Sequence, residues 1–114
     1  MTVRFQTAES EQLPAAATTI YTCPTGFTAE VMFGNCANED ATDTTLEVNI
    51  VRSGGGVGVS NVYLPSKTIT AGTSDPLDPI VGAILEAGDF ISATAGAIDR
   101  LNFKLGIKEV SLPT

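Results

Sequence analysis

Apolar and polar residues alternate along several stretches of the 114-residue chain, most regularly near its end. Leu101, Phe103, Leu105 and Ile107 are apolar, whereas Asn102, Lys104, Gly106 and Lys108 are polar or glycine. A period of two describes a strand with one face in a core and the other in water. Leu46, Val48 and Ile50 against Glu47 and Asn49 repeat the pattern, and so do Phe27, Ala29, Val31 and Phe33 against Thr28 and Glu30. The seven aromatics are Phe5, Tyr21, Phe27, Phe33, Tyr63, Phe90 and Phe103. Most fall at alternating positions that place them in the core.

Punctuation divides the rest. Pro24-Thr25-Gly26 reads as the turn of a hairpin, Asn38 to Asp43 as a polar loop, and Ser53 to Gly56 as a second hairpin turn rich in residues that tolerate positive φ. Gly34 marks a bulge or a close backbone contact within its strand. Val57 to Leu64 returns as a strand with Val57, Val59 and Tyr63 on one face, followed by a short strand from Lys67 to Thr70. Pro76 and Pro79 confine Leu77 to an edge or loop, and Ile80 to Leu85 reads equally as a buried strand or a helical turn. Glu86 to Asp89 turns the chain again, and the last strand has a register break near Lys108-Glu109. The result is an all-β protein with about eight strands. Residues 18–114 form a single antiparallel β-sandwich of jelly-roll type.

Residues 1–17 stand apart as an N-terminal arm. Val3 and Phe5 can make a short edge strand, but Ala8 to Pro14 is polar with little to bury. Such an arm becomes ordered only if its own sheet or a neighbouring subunit packs on it. Val3, Phe5 and Leu13 are therefore candidate protein contacts, and removal of residues 1–13 is expected to leave the sandwich folded.

Composition narrows the function. With 43% hydrophobic and 17% charged residues the chain is globular, and its length suits one domain that buries roughly two-thirds of its unfolded surface. The net charge of −7 and the dispersal of Arg4, Arg52, Lys67, Arg100, Lys104 and Lys108 argue against nucleic acid and an anionic membrane. No apolar run approaches a membrane span. Met1 to Gln6 lacks the apolar run of a signal peptide, so manufacture in a cytosol is expected, with Cys23 and Cys36 reduced and half-buried. The acidity serves solubility first. Its sharper use is complementarity to a basic partner, for which Glu39, Asp40 and Asp43 in one exposed loop are the best contact residues.

Candidate chemistry is thin. The chain contains no histidine, so the commonest general base and metal ligand is missing, and Cys23 has no evident activating partner. Glu86, Asp89 and Asp99 are the carboxylates that could pair as acid and base, but Asp89 sits in a turn where carboxylates accept backbone N–H bonds. The loop from Asn38 to Asp43 lacks the spacing of an EF-hand, and Ser53 to Gly58 lacks the lysine of a phosphate loop. No catalytic, cofactor or metal site is assigned, and an enzyme is not expected.

The order of motifs resembles one family. Thr19 to Ala29, with its strand–Pro-x-Gly–strand opening, then Asn35-Cys36-Ala37-Asn38, then Leu85-Glu86-Ala87-Gly88-Asp89-Phe90-Ile91, is similar to small virion proteins of tailed bacteriophages. The resemblance covers about residues 18–110. It implies a particle protein, assembled in the host cytoplasm and resident in the virion, most simply a capsid decoration or cement protein that docks on the major capsid protein as a homo-oligomer, a trimer being favoured. A neck or tail-fibre component, or a module for host-surface carbohydrate, is the alternative. Cys23 departs from the aliphatic residue usual at that position and, on the resemblance, hints at a disulfide between subunits.

Overall fold

The structure, a computed structural model, describes residues 2–10, 12–97 and 101–112. Among them lie nine strands: β1 (Val3–Ser10), β2 (Thr18–Thr22), β3 (Phe27–Asn38), β4 (Thr44–Val51), β5 (Val62–Ile69), β6 (Ser74–Asp75), β7 (Ile84–Leu85), β8 (Phe90–Ala95) and β9 (Leu101–Ser111). They form two antiparallel sheets. Sheet A has the order β1-β9-β3-β6, with β7 also paired to β3, and sheet B has the order β2-β8-β4-β5. The chain passes from one sheet to the other at most connections, which is the double Greek key of a jelly roll. The expected all-β sandwich is thus the observed one.

The core is where the alternation puts it. Leu46, Val48, Ile50, Leu101, Phe103, Leu105 and Ile107 are all buried between the sheets. Leu77 joins them from a loop, in a left-handed conformation with φ of 58°. Gly34 makes its space: a Cβ at that position would come within 3.0 Å of both Leu77 and Leu105. Such a backbone costs on the order of 1 kcal/mol or more, and full burial of the side chain offsets it.

Several local expectations are corrected. Pro24 to Gly26 is not a hairpin turn, because β2 and β3 belong to different sheets. It is a sheet crossing, and so is Glu86 to Asp89. The two crossings are tied together, with Cys23 N–H donating to the Asp89 carbonyl and Gly88 N–H to the Cys23 carbonyl, each at 2.9 Å. The segment from Val57 is no strand until Val62. A 3-10 turn covers Val59–Asn61, and β5 then runs through Pro65 to absorb the short strand expected at Lys67. Val57, Val59 and Tyr63 are exposed. The long β4–β5 connection folds back over sheet B instead of turning tightly. The Asn49 side chain anchors it, donating to the Gly58 carbonyl at 3.1 Å and to Asn61 Oδ1 at 2.8 Å. Asn49 is thereby buried on a face that alternation assigns to water. Ile80 to Leu85 is neither single strand nor helix: a 3-10 turn at Asp78–Ile80 precedes the two residues of β7.

Both cysteines are free thiols, and both are fully rather than half buried. Burial pushes each thiol up, Cys36 to about 12, which leaves them inert as nucleophiles. A disulfide from Cys23 to another subunit would require local opening of the fold.

Candidate docking face

The N-terminal segment is an edge strand of the domain's own sheet. Its register with β9 is unbroken over eight residues, from Val3 opposite Val110 to Ser10 opposite Phe103. Its polarity is inverted. Arg4 and Gln6 turn toward the interior edge, whereas Val3 and Phe5 turn to solvent, Phe5 being 73% exposed. Leu13 lies beyond the strand and is wholly buried, with its N–H donating to the Leu101 carbonyl at 2.9 Å. It therefore has no surface to offer a partner.

The cause of the inversion is Glu109. It continues the inward series of β9 after Ile107, so what looks like a register break is a buried carboxylate at a core position. Arg4 Nε donates to Glu109 Oε1 at 2.5 Å, Gln6 Nε2 to the same oxygen at 3.1 Å, and the Tyr21 hydroxyl to Oε2. Arg4 also stacks over the Phe27 ring at 4.2 Å. The network joins β1 and β9 of one sheet to β2 of the other. Burial opposes the charged form of Glu109, but the hydrogen bonds from Tyr21 and Arg4, the Arg4 charge and Gln6 together outweigh it and hold the carboxyl below its ordinary value. Burial, then the bond to Glu109 and its charge, push the Tyr21 phenol up.

A group depressed on folding contributes stability above its unfolded pKa and loses it as pH falls through the folded one. The Glu109 share is thus complete at neutral pH and disappears below the ordinary carboxylate range. Urea midpoints measured from neutral to strongly acid solution should fall less steeply in Glu109→Gln than in the native protein. Equal slopes would mean that Glu109 titrates alike in both states.

On the outer face of sheet A a bulge changes the phase of β3. The register jumps from Val31 opposite Ile107 to Phe33 opposite Gly106, leaving Met32 as the extra residue. Phe33, expected inside, is therefore 58% exposed. Its ring lies on Gly106, where a Cβ would come within 2.0 Å of it. Phe5, Met32 and Phe33 frame a shallow depression of about 280 Å³ floored by Gly106. Ile84 is exposed on the neighbouring β7. Of the seven aromatics only Phe103 is fully buried. The consecutive apolar pair Met32-Phe33 ahead of Gly34 was the sequence's signal of the phase change.

Charges on this face stand in opposite pairs across strands: Glu9 opposite Lys104, and Glu30 opposite Lys108. The face is locally neutral, so the net charge of −7 resides elsewhere. Glu39 and Asp43 are exposed in the loop after β3, and Asp40 is partly exposed. Two of these carboxylates also serve the fold: Asp40 accepts from Thr42 N–H at 3.2 Å, and Asp43 from Ala71 N–H at 2.9 Å. Of the candidate acid–base carboxylates, Asp89 is buried and fully engaged. It accepts from Glu86 N–H, Ser53 N–H and Arg52 at 2.7 to 2.9 Å. Burial opposes its charge, but these donors hold its pKa below the ordinary value. Glu86 is exposed, and Asp99 lies outside the described residues.

No family model and no curated protein matches the chain. Solved structures do resemble it in fold. One is a chain of the Bacillus endospore appendages, which form a novel family of disulfide-linked pili; it is 17% identical with a TM-score of 0.53, over 98% of this chain and 90% of that one. Two others come from infectious bursal disease virus, one from its T13 particle and one from the Gx strain. They are 14% and 12% identical with TM-scores of 0.48 and 0.46, over 96% and 97% of this chain. The chain spans only 31% and 32% of those viral chains. At 17% identity the pilus likeness shows a shared fold and no more. The bacteriophage resemblance rests on the sequence motifs alone.

Proposed function

We propose that the protein is a structural subunit of a larger protein assembly, docked through the outer face of sheet A. The observation that carries this reading is the inverted edge of that sheet. A polar network occupies the inward side of β1, and apolar residues are presented outward beside Met32 and Phe33. Exposed apolar residues gathered in one place mark contact surfaces in folded proteins. The sequence resemblance supports a tailed-bacteriophage particle as the assembly; head decoration on the major capsid protein is the role we favour over a neck or tail-fibre position. The acidic loop at Glu39, Asp40 and Asp43 then acts as a rim, setting encounter rate more than strength.

Met32→Asp tests this directly, because it places a charge in the depression while leaving the core and β1 intact. Occupancy of the variant on purified phage heads should correspond to affinity lower by roughly thirtyfold, as for loss of a central contact residue. Undiminished occupancy would overturn docking through this face. The exposed rings of Phe5 and Phe33 also favour a second reading, a sugar-stacking module. Binding to a glycan array that is lost with Phe33→Ser and kept with a neutralised acidic loop would select it.

A further inference from the structure

We infer that β1 pairs edge to edge with β1 of a second copy, closing a two-fold dimer in which sheet A runs continuously across both subunits. The sandwich has four sheet edges, and three are blunted. The far edge of sheet A is broken into β6 and β7, of two residues each. In sheet B, β2 has five residues with a register shift between Thr19 and Tyr21, and β5 carries Pro65, Lys67 and two register shifts against β4. Short strands, bulges, proline and lysine are the devices by which folded proteins keep sheet edges from pairing. The β1 edge has no proline, lysine or bulge, and its two charges are answered within the domain, Arg4 by Glu109 and Glu9 by Lys104. It is eight residues long and regular throughout.

Its backbone is set for a partner. Ser111 N–H donates to the Thr2 carbonyl at 2.8 Å, so the Thr2–Ser111 pair bonds toward β9. By antiparallel alternation, Arg4, Gln6, Ala8 and Ser10 also bond to β9. Val3, Phe5, Thr7 and Glu9 direct both N–H and carbonyl to the open edge, and among the described residues nothing answers them. The odd residues also carry their side chains on the outer face. Pairing odd with odd across a two-fold axis therefore keeps the outer faces continuous and joins the two apolar depressions.

Charge admits a second copy as the occupant, and that copy brings the matching long open edge, β1 itself. A protein of net charge −7 resists its own association over most of its surface. Beside this edge, however, Glu9 faces Lys104, Glu30 faces Lys108, and Arg4 is held inward by Glu109. Two copies can meet here without opposing like charges. No second open edge exists on the described chain to receive β1 head to tail, so edge pairing closes at two.

Thr7→Pro is the decisive variant. It removes an N–H that points to the open edge and no bond to β9, whereas Gln6→Pro breaks the internal ladder. Sedimentation of the native protein over a concentration series should show monomer and dimer. Thr7→Pro should raise the dimer dissociation constant roughly thirtyfold, since two bonds are lost per dimer. Amide exchange on the native protein gives a second readout that needs no variant: Val3, Phe5, Thr7 and Glu9 should gain protection as concentration rises. A monomer at every concentration with these four amides unprotected would overturn the pairing, and so would an oligomer indifferent to Thr7→Pro. Self-pairing at β1 is measured on the isolated protein, so its failure would leave docking through the depression standing, and the reverse holds too.

Discussion

Removal of residues 1–13 should leave a chain without a cooperative melting transition, contrary to what the polar composition of that segment leads one to expect. The deletion takes away the eight-residue ladder between β1 and β9 and the fully buried Leu13. It also strips Glu109 of Arg4 and Gln6. Loss of a buried leucine costs about 2–5 kcal/mol. Removing one partner of a buried ion pair costs up to about 3–5 kcal/mol, discounted here because Arg4 is 44% exposed. Together these approach the whole stability of about 5–15 kcal/mol typical of a domain. Near-ultraviolet circular dichroism and a urea titration of the truncated chain decide the matter. A sharp unfolding transition with native-like spectra would show that β1 is dispensable.

Phe103→Ala should cost about 3–5 kcal/mol, the second largest effect. The ring is fully buried, opposite Cys36 of β3 and Ser10 of β1, in the strand that holds sheet A together. For a domain of this size the melting temperature should fall on the order of 10–20 °C. Phe103→Leu, which refills most of the volume, should lose much less. A loss below about 1 kcal/mol for the alanine variant would contradict the placement of Phe103 in the core.

The elements legible from sequence were those whose periodicity runs undisturbed. From Leu46 to Ile50 in β4 and from Leu101 to Ile107 in β9 each step of two residues adds another buried apolar side chain, so face and core follow at once. The errors arose where one residue changed the phase or the topology. Met32 is a single extra residue, signalled only by an apolar side chain where alternation expects a polar one, and it moves Phe33 from the core to the outer face. Glu109 occupies a core position, and a carboxylate there reads as the end of a pattern unless its three donors, brought from β1 and β2, are known. Those donors are also why β1 presents Phe5 outward. Pro24 to Gly26 turns the chain as foreseen, but a turn motif does not state whether the next strand stays in the sheet or crosses to the other. The ordering of an apolar-poor arm points to contacts at Val3, Phe5 and Leu13 alike, but Leu13 is spent within the domain because the chain after β1 dives into the core.

The strand order has a consequence for how the chain comes to be folded. β9 lies between β1 and β3, and β8 lies between β2 and β4. Until the ribosome has released the last quarter of the domain, neither sheet can close, and among the described residues the β4–β5 pair is the only pairing of strands consecutive in the chain. During synthesis the open edges of β1 and β3 wait for a partner that does not yet exist. Folding dominated by such distant pairings is slow, on the scale of milliseconds to seconds. A nascent chain of this kind spends its vulnerable time with both sides of β1 uncovered, the side that later receives β9 as well as the side left open in the folded sandwich, and neighbouring nascent chains could tangle at either.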